Sequence, residues 1–195
     1  MLISFKGQQH GDVFIPPFTL QDGEIAVIRI PAGARRQEMK KVCLDMLLSV
    51  TDMAVRTEVP FTYVDEAQQS FMGRLLHPVS VKDYIRKYGS PANAVARQVY
   101  DTDENIFPND RFNSLTPAGR KLVALYTALS WSHRMIIDLG ELDKAGARQV
   151  YKVVKQYADI GGSAVVLVSD DDLQEKATHF VSVSVKKETE NINVA

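Results

Sequence analysis

The residues best suited to chemistry in this chain lie in short stretches around two kinds of group. In "IPAGARRQEMKKV", residues 30–42, a turn containing Gly33 and the basic pair Arg35 and Arg36 follows the apolar run "EIAVI". After it, Met39, Val42, Cys43, Met46, Leu47 and Val50 recur at helical spacing. Strand, tight turn and helix in that order bring backbone N–H groups and a positive helix end together, a setting that suits a phosphate-like anion. Gly33, Arg35 and Arg36 are therefore candidate anion contacts. The plainer alternative is an exposed basic pair on a surface turn, mildly opposed by the helix dipole. The second kind of group is carboxylate: Asp138 closes the run "RMII", and Asp170, Asp171 and Asp172 follow "AVVLVS". Ligands gather at the carboxyl ends of strands in open parallel sheets, and Asp138 with Asp170 would suit a hard cation such as Mg²⁺. The plainer alternative there is a solvated acidic turn that caps the next helix. His10, His77, His133 and His179 show no metal-ligand spacing, and no G-x-S-x-G elbow occurs.

These groups need a scaffold, and the pattern of the chain supplies one. "MLISFKG" and "DVFIPPFTL" read as short antiparallel strands, with Pro16 and Pro17 favouring an edge or bend. "EIAVIRI", "FTYV", "RMIID" and "SAVVLVSD" read as buried strands, and "FVSVSVKK" alternates as a last one. Helices are expected from about residue 35 to 49, over "SVKDYIRKYG", "PANAVARQVY" and "SLTPAGRKLVALYTALS", over "DKAGARQVYKVVKQYADIGG", and briefly over "DDLQEKATH". Thr116 and Pro117 fit the N-cap and first helical position. Strands alternating with helices imply an α/β fold, a mostly parallel sheet with helices on both faces. The expected organisation is an N-terminal β region over 1–64, an inserted helical subdomain over 65–114, the rest of the core over 115–185 and a polar, frayed tail over 186–195. The balance of 23 basic against 24 acidic residues argues against a dedicated nucleic-acid binder. A single cysteine, Cys43, excludes an internal disulfide. The absence of a long apolar run or a signal-peptide pattern points to a cytoplasmic protein.

The order of motifs resembles the ATPase domain of ABC transporters over nearly the whole chain. "LQDGEIAVIRIPAGARRQEM" is similar to the family's strand and Walker A loop, and "YVDEAQQ" sits where its glutamine loop would be. "LTPAGRKLVALYTAL" is similar to the signature, "RMIIDLGELD" to the Walker B strand and aspartate loop, and "AVVLVSDDDLQEKATHFVSV" to the strand, switch histidine and closing strand. The resemblance implies a P-loop NTPase-like fold with N-terminal antiparallel strands and an inserted helical subdomain.

Each motif departs from the family at the residue that performs the chemistry. Aligned on Pro31 and Gly33, Ile30 and Arg35 replace glycines, Arg36 replaces the lysine that reaches the β- and γ-phosphates, and Gln37 and Glu38 replace serine and threonine. Asp138 keeps the Walker B aspartate, but Leu139 stands where a glutamate would orient the attacking water. Asp170 matches the switch histidine and Glu66 the glutamine of its loop. In the signature Thr116 keeps a hydroxyl that would serve a phosphate held by a partner subunit, while Pro117 and Ala118 replace glycines. Asp143 matches the aspartate loop, with a helix N-cap as its plainer reading. Phe71, Met72, Leu75 and Leu76 lie where the family docks on its membrane partner; burial within the helical subdomain is the alternative.

The resulting expectation is a catalytically degenerate ABC-type domain without ATP hydrolysis. It would act as a structural or regulatory subunit of a transporter-related complex, pairing with an active ATPase subunit, a membrane component or a second copy of itself. No nucleic acid is expected, Mg-ATP would bind weakly if at all, and membrane contact would come through a partner. Two alternatives stay open: a divalent-metal phosphoryl-transfer or phosphoesterase enzyme using the strand-end aspartates, and a non-hydrolysing ATP sensor using Arg36.

Overall fold

The computed structural model describes residues 2–48, 55–57, 60–66 and 79–185. Its centre is a five-stranded parallel sheet of β5 (Ile25–Arg29), β7 (Thr62–Val64), β8 (Arg134–Asp138), β9 (Ser163–Val168) and β10 (His179–Ser182), in the order β10-β5-β9-β8-β7. The three inner strands β5, β9 and β8 are nearly continuous apolar runs because both faces of the sheet are covered there, while the outer strands β10 and β7 are mostly half-buried. Side chains alternate across the sheet, so each run divides by parity. Ile25, Val27, Met135, Ile137, Ala164, Val166 and Val168 enter one core, while Ala26, Ile28, Ile136, Val165 and Leu167 enter the other.

The first core lies under α4 (Pro117–Leu129) and α5 (Lys144–Asp159). Thr116 caps α4 by accepting from the Gly119 N–H at 3.0 Å, with Pro117 in the first turn, as the sequence implies. Asp143 caps α5 by accepting from Gly146 N–H at 2.7 Å, and the chain leaves that helix through Gly161 at φ +95°. The second core lies under α1 (Arg36–Leu48) and the N-terminal strands β1 (Ile3–Phe5), β3 (Val13–Ile15) and β4 (Phe18–Leu20). Those strands form two three-stranded sheets: β1 lies between β4 and β6 (Val55–Thr57), and β3 between β2 (Gln8–His10) and β11 (Ser184–Val185). Pro16 and Pro17 separate β3 from β4 and let the chain pass from one small sheet to the other.

Residues 79–114, inside the stretch expected as a helical insertion, carry α2 (Val81–Tyr88), a 3₁₀ turn at Ala94–Gln98, the short α3 (Val99–Thr102) and a second 3₁₀ turn at Phe112–Ser114. The continuous helix expected over "PANAVARQVY" is thus split, with Asn93 accepting from Val95 N–H at its start. Val81, Tyr84, Val99, Ile106 and Phe112 share the core of α4. The tail 186–195 and the candidate partner residues Phe71, Met72, Leu75 and Leu76 lie outside the described residues. Among the described residues, no helix is long and apolar enough to cross a membrane.

Candidate functional site

The site sits where β5 and β8 end and α1 begins. After β5 the chain turns through Gly33 at φ +138°, a left-handed conformation that favours glycine. Arg36 N–H then donates to Gly33 O at 3.1 Å as α1 starts. Arg35 and Arg36 part at this point. Arg35 stays at the surface and reaches back to the β2–β3 turn, where it forms a two-pronged pair with Asp12, and it also meets Glu38 at 3.0 Å. Asp12 is held below the usual carboxylate range, chiefly by that hydrogen bond from Arg35, and Arg35 is raised by the same contact.

Arg36 turns inward. It is only 8% exposed, and its Nη2 donates to Asp138 Oδ1 at 2.6 Å. The surface basic pair is therefore not what the chain makes: one arginine is exposed and the other is buried against the end of β8, two strands from β5 in the same sheet. Space for it comes from Gly140, where a Cβ would stand 2.0 Å from Arg36 Nη2 and 3.0 Å from the Ser169 nitrogen. Ser169 Oγ donates to Gly140 O at 2.7 Å and ties the two loop ends together over the guanidinium.

Asp138 is 3% exposed and well supplied with donors. Arg36 Nη2 and the Gly140 N–H, at 2.9 Å, share Oδ1; Lys40 Nζ approaches Oδ2 at 3.0 Å. Lys40 lies one helical turn after Arg36, so α1 presents both cations on one face. Glu141 completes the cluster: it accepts from Gln37 Nε2 at 2.8 Å and from Lys40 Nζ at 3.1 Å, and lies 3.7 Å from Arg36 Nη1. Burial alone would push the Asp138 carboxyl up, but the hydrogen bond and charge of Arg36, the Gly140 amide and Lys40 outweigh it and hold it low. Burial lowers Lys40, and Asp138 more than restores it. Glu141 is lowered first by Gln37, then by Lys40. Beside them the Tyr63 phenol is pushed up to about 12, mainly by burial.

The other motif positions are placed as follows. Leu139 is 1% exposed and packs in the core beneath α4 and α5. Its backbone N–H donates to Leu167 O at 2.9 Å, which fixes its side chain away from the cluster. Glu66 is bridged to the start of α4 by Arg120 at 3.0 Å and Lys121 at 3.2 Å. Between these groups opens a polar cleft of about 460 Å³, walled by Gln37, Lys40, Tyr63, Glu66, Arg120 and Glu141 among others. Asp170 accepts from Asp172 N–H at 3.1 Å and closes a local turn. Asp171 pairs with Arg29 at 2.9 Å, and Asp172 with Lys144 and Arg148. Asp138 and Asp170 therefore stand at the ends of adjacent strands with separate partners. Among the described residues, no group of three or more His, Cys, Asp or Glu is placed to hold a metal ion. Lys40, Glu141 and Asp12 were not evident from motif reasoning; the spacing of four between Arg36 and Lys40 was the available signal for the first.

No protein-family model matches this chain, and no curated protein matches it. Solved structures do. An inward-facing metal-chelate-type ABC transporter matches with a TM-score of 0.69 at 17% identity, over 93% of this chain and 79% of that one. An ATP-binding protein of an ABC transporter from Pyrococcus furiosus matches at 0.67 and 13% identity, over 93% of this chain and 96% of that one. A nucleotide-free ATP-binding cassette matches at 0.66 and 12% identity, over 93% and 87%. Each likeness covers 93% of this chain, and the chain has the fold of the ATP-binding cassette domains of ABC transporters.

Proposed function

We propose that this chain is a cassette-fold subunit that does not hydrolyse ATP and serves as a structural or regulatory component of a transporter-related assembly. One observation carries the reading: the buried ion pair of Arg36 with Asp138, reinforced by Lys40. In the ATPase resemblance the residue at position 36 reaches the phosphates and Asp138 holds a magnesium-bound water. Here the arginine, a planar fork, turns its Nη2 on that aspartate at 2.6 Å, while its Nε is buried without a hydrogen-bond partner among the described residues. The aspartate in turn has both oxygens engaged by protein donors. Mg-ATP does not fit these residues, because the metal would have to displace two cations from a nearly buried carboxylate. The ion pair between Arg35 and Asp12 adds a second closure above the turn, and Leu139 offers no base for the attacking water. The same engagement of Asp138 counts against the divalent-metal phosphoesterase reading, and the burial of Arg36 counts against an ATP sensor built on it.

Calorimetric titration of the purified chain with Mg-ATP up to millimolar nucleotide tests this. Only heat of dilution is expected. Saturable binding, lost in Arg36→Ala, would refute the proposal in favour of a sensor. A phosphatase activity abolished by Asp138→Asn would refute it in favour of the enzyme.

A further inference from the structure

Residues 80–100 carry Lys82, Arg86, Lys87 and Arg97 against a single carboxylate, Asp83, in a chain whose net charge is −1. The fold brings three of these cations to one groove of about 610 Å³. Lys82 and Arg86 come from α2, one helical turn apart, while Arg97 and Tyr100 come from the 3₁₀ turn and α3. Much of the remaining lining is small or rigid: Gly89, Pro91, Ala92, Ala94 and Pro108. Among the described residues, no carboxylate lines the groove. The frame is fixed. Ser90 N–H donates to Ser130 Oγ at 2.8 Å and Asn93 Nδ2 to Ser130 O at 3.1 Å, which ties the turn after α2 to the end of α4. A groove held in this way needs little ordering when it binds.

The three cations are lightly used within the chain. Lys82 Nζ donates to the neutral amide oxygen of Asn109 at 2.8 Å. Arg86 meets Asp83 at 2.8 Å, but its side chain is 80% exposed, and an exposed pair of this kind holds weakly. Arg97 is exposed and makes no ion pair among the described residues. It stands close enough to the Tyr100 phenol, raised chiefly by burial, to draw it partly back down. The complement that this groove lacks is therefore negative, and a recessed basic site concentrates anions. Its volume suits a ligand of many atoms more than a lone phosphate. Carboxylates spaced along a peptide can reach Arg97 and the Lys82–Arg86 pair together, in the manner of acidic-motif recognition by clustered arginines. Three cations fall short of the clusters of about four to eight that hold an anionic bilayer. Tyr100 is the one aromatic in the lining, which gives a nucleic-acid strand no succession of stacking faces.

We infer that this groove docks an acidic peptide segment of a protein partner, its carboxylates paired with Arg97, Lys82 and Arg86 and its small side chains laid over Gly89, Pro91 and Ala94. The groove shares no lining residue with the cleft beside Arg36, so the inference stands apart from the reading given above for that site.

Fluorescence anisotropy with the full chain tests this, the probe being a fluorescein-labelled peptide of alternating Glu and Ala. Saturable binding is expected with a Kd of about 10–500 µM, weakening as ionic strength rises from about 50 to 500 mM. A label-matched peptide of alternating Ser and Ala should not bind. Arg97→Ala, at an exposed position that should leave the unfolding midpoint unchanged, is expected to weaken binding about tenfold. Lys155→Ala removes the same charge from an exposed site on α5 outside the groove, and should change binding less than about twofold. No binding of the acidic peptide, or an equal loss in both variants, overturns the proposal, the second by showing that only overall charge is sensed. Tighter binding of tripolyphosphate, of phosphatidylserine vesicles or of oligothymidylate than of the peptide also overturns it, and assigns the groove to a phosphate ligand, a membrane or a nucleic acid respectively.

Discussion

Removing the Asp138 carboxylate is the perturbation that most directly probes the buried cluster. With charge centres about 4 Å apart and an effective dielectric near 20, each cation gains about 4 kcal/mol of gross attraction to Asp138. Desolvation of each nearly buried ion offsets several kcal/mol of that, so the intact cluster adds little net stability. Asp138→Ala changes the balance, because the penalty stays while the attraction goes. Arg36, with a side chain 9% exposed, and Lys40, at 18%, would be left without their central anion. The expected cost is about 3–5 kcal/mol. Arg36→Met should cost less, since Lys40 and the Gly140 amide still serve Asp138. The double variant Arg36→Met with Asp138→Leu should recover most of the loss or exceed wild-type stability, as apolar replacements of buried pairs often do. Urea unfolding followed by circular dichroism yields all the values of this cycle. If Asp138→Ala costs less than about 1 kcal/mol, the range of a solvent-exposed pair, or if the single effects simply add, the cluster is not the coupled, desolvated unit described here.

Three further outcomes follow from the same geometry. Gly140→Ala should destabilise by about 2–4 kcal/mol, because its Cβ would meet the fixed guanidinium of Arg36 at 2.0 Å and the Ser169 nitrogen at 3.0 Å; in an Arg36→Ala background much of that cost should vanish, and equal costs in both backgrounds would contradict the packing argument. Leu139→Glu, which restores the residue expected in an active ATPase, should unfold the chain at lower urea without producing ATPase activity, since it places a carboxylate in the core at a position 1% exposed. For pH, the folded Asp138 carboxyl lies below its ordinary value of 3.8, so its contribution is complete above that value and is lost as pH falls through the lower folded one; the stability difference between wild type and Asp138→Asn should therefore be constant at neutral pH and shrink below about pH 4, and a difference that shrinks above pH 5 would show the carboxyl is not held low.

Several features were legible before any coordinates because they depend on neighbours in sequence. Apolar runs bounded by turn residues gave the parallel strands, and Thr116 with Pro117 marked the start of α4, since a cap is a bond between residues three apart. Ordered motif segments across the chain carried the cassette fold even though no single motif was intact. Other features belong to partners distant in the chain. The β2–β3 hairpin brings Asp12 to Arg35, 23 positions later, and so turns an apparent anion contact into an internal ion pair. The fate of Arg36 was decided by Asp138, 102 positions away, together with Gly140, whose missing side chain gives the guanidinium its room. The sequence by itself determined where the residues differ from the motifs it resembles and that the sheet would be built regardless, because hydrophobic periodicity and caps are local and tolerate changes at the loops. Only the tertiary structure decided what the departing residues do instead: a charge left next to a desolvated carboxylate pairs with it, since an unpaired buried ion costs far more than the bond between them.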